Sequence, residues 1–119
     1  PSDEGRQGQA AAIALATYSE LKNIILVDED VDIFDSDDIL WAMTTRMQGD
    51  VSITNLPGLR GLQLDPSQSP DYSHSIRANG ITCKTVFDCT VPWALKSQFE
   101  RAPFMEVDPT PWAPALFQK

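Results

Sequence analysis

Apolar residues in this chain recur at two different periods, and the change of period marks out its elements. Between residues 7 and 20 the sequence is rich in alanine, the strongest helix former. Ala10, Ile13, Ala14 and Tyr18 fall three and four residues apart, which predicts a helix with that stripe facing a core. Residues 23–27 form a short, largely β-branched run, as expected of a buried parallel strand. A strongly acidic stretch follows, from Asp28 to Asp38, and runs into a second helical pattern beginning near Ser36. Asp35 or Ser36 can cap that helix. Asp37 and Asp38 sit in its first turn, where free N–H groups and the helix dipole favour negative charge. Leu40, Met43 and Met47 make its apolar stripe, with Trp41 and Thr44 beside it, and Gly49 ends it. Residues 51–54 and, more strongly, 84–89 then read as strands, the second carrying Val86 and Phe87. This order of helix, strand, helix and strand predicts an α/β fold, a partly parallel sheet flanked by helices.

Two segments show neither period. Residues 55–80 are rich in Gly, Pro, Ser and Asp and predict a long irregular loop, and such loops in compact domains are often functional. From Ala102 onward, four prolines are spaced so that no long helix can form. An α/β body over residues 1–101 and an extended Pro-rich C-terminal arm over 102–119 follow as expectations. Trp112, Leu116 and Phe117 give that arm apolar anchors. The first helix has no strand ahead of it, and Pro1 stands where an initiator Met would. Both features read as a C-terminal piece of a longer polypeptide, with 1–119 as a single domain.

At 119 residues the chain suits one modest core, and 42% apolar content is ordinary for a soluble globular protein. A formal charge of −8 would be repelled by a nucleic-acid backbone or an anionic membrane surface, so neither is an expected partner. No apolar run approaches the ~20 residues that span a bilayer, and no basic-then-apolar leader is evident. A cytoplasmic location is expected.

The acidic loop invites a calcium reading, but an EF-hand wants Gly at its sixth position and Glu at its twelfth. Counted from Asp28, those positions hold Ile33 and Leu40. A different cation site built from Asp28, Asp30 and Asp32 stands beside the plainer reading, in which the carboxylates cap the next helix and hold the turn. Arg46 is a candidate ion-pair partner for one of them. His74, between two serines in the irregular loop, reads as a solvated histidine, because nothing in the sequence supplies it with a nucleophile and an orienting acid. Cys83 and Cys89 lie six apart, on one face of a strand but about 20 Å from each other, too far for a disulfide. Two cysteines and one histidine do not complete a zinc site, so both thiols are expected to be free and buried. Gly58 and Gly61 flank Leu59 and Arg60 without the spacing or the lysine of a phosphate-binding loop.

Three stretches carry a family resemblance. Val27-Asp-Glu-Asp-Val-Asp-Ile-Phe-Asp-Ser-Asp-Asp-Ile-Leu-Trp-Ala-Met-Thr-Thr-Arg46, Arg60-Gly-Leu-Gln-Leu-Asp-Pro-Ser67 and Lys84-Thr-Val-Phe-Asp-Cys-Thr90 resemble, in the same order, the C-terminal region of the UbiD-type decarboxylases. The resemblance covers most of residues 5 to 92. The second stretch and the Val107-Asp-Pro-Thr-Pro-Trp112 tail are most similar to the hydroxybenzoate branch, such as gallate and protocatechuate decarboxylases.

The resemblance implies a carboxy-lyase that acts on aromatic carboxylic acids with prenylated flavin mononucleotide, a divalent metal and potassium. In that family the flavin, its metals and a Glu-Arg-Glu acid–base set belong to regions that match nothing here. No catalytic residue carries over, and this piece alone is expected to be inactive and to bind no cofactor. What it implies for this chain is oligomerisation (a dimer or a hexamer), contact with the rest of its own chain, and a loop covering the substrate. Leu62, Gln63 and Leu64 match that loop. The leucines would exclude water from the ring and Gln63 would read a ring hydroxyl. Two other classes stay open on the residues alone. One is a stand-alone acidic module that binds a protein partner; the other is a calcium-binding domain.

Overall fold

The computed structural model describes residues 4–69, 71–72, 80–102, 107–108 and 110–113. Its centre is a three-stranded mixed sheet. Strand β1 (Asn23–Leu26) lies parallel to β3 (Ile81–Asp88), and β2 (Ile53–Arg60) lies antiparallel on the other side of β3. Helix α1 (Arg6–Thr17) packs on one face of the sheet, where Ala11, Leu15 and Val86 form a buried cluster with Ile24, Leu26 and Leu56 around it. Helix α2 (Ser36–Arg46) serves the opposite face, through a second cluster of Val31, Ala42 and Cys89 that Phe87, Ile39, Met43 and Met47 surround. The period of two along β3 divides the faces: Lys84 and Val86 point to α1, while Phe87 and Cys89 point to α2. The expected α/β architecture with a partly parallel sheet is present.

Several details differ from expectation, each for a physical reason. The buried side of α1 is Ala11 and Leu15, whereas Ile13 is 69% exposed and Tyr18 is 59% exposed. Residues 10 to 16 are apolar all the way round the helix, so spacing alone could not select the face. In α2 the small Ala42 is buried, packed with Val31 and Cys89, and Leu40 is exposed. Among the described residues β1 is an edge strand with alternating burial, not a buried one. Cys89 is a buried free thiol, but Cys83 is exposed, on a part of the sheet that α2 does not cover.

β2 runs to Arg60, well beyond the expected residues 51–54, and so shortens the irregular stretch. Pro57 and Gly58 hide it from a sequence reading. β2 is an edge strand, where a proline without an N–H is tolerated, and the register shifts between Leu56 and Leu59 in a bulge. Gly58 absorbs that bulge at φ +77°, and a Cβ there would meet nothing within 4 Å. The cost of Gly58→Ala is therefore purely one of backbone conformation. It is expected to lower stability by about 1 kcal/mol, read as a fall in the urea midpoint at unchanged slope.

Candidate functional site

The segment after β2 is folded back on itself by a set of short bonds. Gly61 N–H donates to the Gly80 carbonyl at 2.9 Å, closing the base of the loop. Leu62 to Asp65 then form a tight turn, in which Asp65 N–H donates to the Leu62 carbonyl at 3.0 Å. Gln63 and Leu64 occupy its apex. Asp65 precedes Pro66, and this pairing of a capping acid with a first-position proline starts a single 3₁₀ turn over Pro66–Gln68. Asp65 Oδ1 accepts from Ser67 N–H at 2.9 Å and from Ser67 Oγ at 2.7 Å.

Two further groups tie this turn down. Lys22 Nζ donates to Asp65 Oδ2 at 2.6 Å and to Ser67 Oγ at 2.5 Å. With Lys22 first, then Ser67 and Gln68, these donors hold the Asp65 carboxyl well below the usual carboxylate range. Gln68 is 4% exposed, and its Nε2 donates to the Leu62 carbonyl at 2.7 Å. Its amide lies against Gly61, where an added Cβ would stand 2.7 Å from it. Gln63, Asp65, Pro66, Gln68, Ser69 and Gly80 line a cavity of about 390 Å3.

The three residues that the motif singled out thus sit together on one hydrogen-bonded turn. Leu62 is 42% exposed, Leu64 is 84% exposed and Gln63 is exposed. The sequence reading missed Lys22 and Gln68. Asp-Pro-Ser-Gln does carry the mark of a capped turn, which signals Asp65, but nothing local to Lys22 signals a partner 43 residues away.

The acidic loop is organised differently from a cation site. Arg46, its side chain 2% exposed, reaches Asp30 through Nη2 at 2.5 Å and Asp28 through Nη1 at 3.3 Å. Asp28 Oδ2 also accepts from Val91 N–H at 2.9 Å, tying the end of β1 to the segment after β3. Asp32 accepts from Phe34 N–H, and Asp35 caps α2 by accepting from Asp37 N–H. Arg101 pairs with Asp38 at 2.5 Å and lies 4.0 Å from the centre of the Trp41 ring. The Arg46 bond holds the Asp30 carboxyl below its ordinary value, and the Arg101 bond does the same for Asp38. The proposed cation set Asp28, Asp30 and Asp32 is therefore taken up by an arginine and by backbone donors. Among the described residues no three of His, Cys, Asp and Glu stand where they could share a metal ion. His74, Leu116 and Phe117 lie outside the described residues, and Trp112 is 85% exposed.

The family model for the 3-octaprenyl-4-hydroxybenzoate carboxy-lyase C-terminal domain matches residues 1–89. The chain belongs to this family. Gallate decarboxylase of Lactiplantibacillus plantarum is 53% identical over 107 residues, covering 89% of this chain and 22% of that protein. The apo structure of the 3,4-dihydroxybenzoic acid decarboxylase from Enterobacter cloacae aligns at a TM-score of 0.80 with 90% identity, over 98% of this chain and 24% of that one. The UbiD-class enzyme HmfF from Pelotomaculum thermopropionicum, in complex with FMN, aligns at 0.71 with 30% identity, over 85% of this chain and 21% of that one. The chain spans less than a quarter of the length of each of these proteins. Its curated relatives include decarboxylases, and the high identity to the gallate and 3,4-dihydroxybenzoic acid decarboxylases supports the hydroxybenzoate branch of the family.

The residues described here do not fit the phosphate or the metal ions of a flavin cofactor. The left-handed glycines Gly5, Gly58 and Gly80 are scattered, each on a different element, and make no cradle. Asp28, Asp30 and Asp38 are paired with arginines. Among the described residues no helix is long and apolar enough to cross a membrane.

Proposed function

We propose that this chain is the assembly and substrate-covering portion of a carboxy-lyase that decarboxylates a hydroxybenzoic acid without oxidation, using prenylated FMN held by other parts of the enzyme. The observation that carries this reading is a turn tied on several sides that nevertheless presents Leu64 to solvent. A flexible loop can fold an apolar side chain away, whereas a pinned one leaves it exposed until another surface covers it. Decarboxylation builds negative charge on the ring carbon, and an apolar cover keeps water from that carbon while the cofactor takes up the charge. Gln63, beside the leucines, suits a ring hydroxyl. The relatives' activity on gallate and on 3,4-dihydroxybenzoate supports a substrate of this class.

The acidic loop speaks against the alternative of a free-standing acidic interaction module. Asp28 and Asp30 share Arg46, Asp38 pairs with Arg101 and Glu29 with Lys96, so these four carboxylates are already engaged within the chain and are less available to a basic partner. In the complete enzyme, Leu64→Ala is expected to lower kcat/KM for the preferred hydroxybenzoate roughly tenfold, from the lost burial of one leucine side chain. Unchanged kinetics would refute the covering role. The 119-residue chain alone is expected to show no decarboxylation and no flavin absorbance after incubation with the cofactor.

A further inference from the structure

We infer that Lys22 and Gln68 are positioning residues for the substrate-facing turn, and that they set how strictly the enzyme reads the ring hydroxyls of its substrate. This inference rests on the proposed covering role of Leu62, Gln63 and Leu64.

The geometry is that of a brace between the sheet and the turn. Lys22 lies just before β1, and its carbonyl accepts from Thr85 N–H of the central strand at 3.1 Å. Its backbone is therefore fixed to the middle of the sheet. Its ammonium, on a side chain 42% exposed, donates to Asp65 and Ser67 at the trailing end of the turn. Gln68 works from below. Buried against Gly61, its amide holds the Leu62 carbonyl at the leading end of the same turn. The trailing end of the four-residue turn is thus tied to the edge of the sheet and the leading end to the loop's own 3₁₀ turn, with Gln63 and Leu64 held between them.

A side chain that reads one hydroxyl on a flat ring needs placement to a fraction of an ångström, and a misplacement of about 1 Å can cost up to a hundredfold. Neither Lys22 nor Gln68 needs to touch substrate to have this effect. Their role differs from a general contribution to folding, because loosening the turn blurs discrimination between substrates that bind the same pocket.

The test uses the complete enzyme carrying its flavin, and compares kcat/KM for the preferred hydroxybenzoate with that for the analogue lacking one ring hydroxyl. Lys22→Met and Gln68→Met keep side-chain length and remove the bonds. Each is expected to reduce the selectivity ratio about tenfold while the flavin spectrum and the oligomeric state are unchanged, and Lys22→Arg is expected to restore the ratio to within about twofold. A merely structural contribution would depress both substrates equally and leave the ratio where it was, which overturns the inference. Gln63→Ala and Leu64→Ala serve as references. If neither alters rate or ratio, the covering role itself fails. If they do while Lys22→Met and Gln68→Met leave the ratio intact, only the brace is wrong. Should Lys22→Met not assemble, Gln68→Met alone decides the matter, because it leaves the Lys22–Asp65 ion pair in place.

Discussion

Lys84→Met is expected to lower the stability of the chain by about 3 kcal/mol, among the largest effects of any single substitution in it. Lys84 is fully buried in the central strand, beneath the end of α1. Its Nζ donates to the Leu15 carbonyl at 2.8 Å and also to the Tyr18 carbonyl. The first of these oxygens belongs to the last turn of the helix and the second to its C-cap residue, where carbonyls have no partner within the helix and the dipole is negative. The lysine is in effect a C-terminal cap delivered from the sheet. Two effects oppose each other in the variant. Methionine spares the chain the cost of desolvating an ammonium, but it strands the Leu15 carbonyl in a buried place with no donor and surrenders two charge-assisted bonds. The second effect should win, because Met fills the same volume without replacing either bond. Urea unfolding would read the loss as a lower midpoint, and hydrogen exchange would show α1 losing protection first. A variant as stable as the parent would mean that the helix end finds other donors.

Lys84 also shows where a sequence reading stops. Within an alternating strand, a lysine between Cys83 and Thr85 reads as a solvent-facing position, and only the placement of α1 reveals it as the capping group. The element order was legible because the acidic loop, the capped start of α2 and the β-branched runs are local signals. The packed face of α1 was not, since its apolar residues encircle the helix and only the sheet decides between Leu15 and Ile13. The second half of β2 was masked by Pro57 and Gly58, which normally punctuate strands and here make an edge bulge. The candidate site divides along the same line. Leu62, Gln63 and Leu64 stood out through a contiguous motif, whereas Lys22 and Gln68 act on them through the fold. Asp28 and Asp30 looked like a cation cluster because the sequence shows charges and hides which arginine reaches them.

That arginine sets the second large expectation: Arg46→Met should cost about 2 kcal/mol near neutral pH. Arg46 closes α2 and sends its guanidinium back to Asp30 and Asp28, so it joins the helix end to the acidic loop and, through Asp28, to Val91. It also lies 4.8 Å from the Trp41 ring centre. Breaking a fully buried pair costs more, roughly 3–5 kcal/mol. Asp30 is 41% exposed and Asp28 23%, so water can replace part of what the arginine supplied. The pH dependence separates charge from packing. The Arg46 bond holds Asp30 below its ordinary pKa, so this stabilisation is complete above the unfolded value of about 3.9 and is lost as pH falls through the lower folded value. In Arg46→Met that depression is relieved, and the stability gap between parent and variant should be widest around neutrality and narrow steadily in acid. A gap that stayed constant down to about pH 2 would assign Arg46 to packing over Trp41, and the ion pairs would then contribute little to holding the loop against the helix.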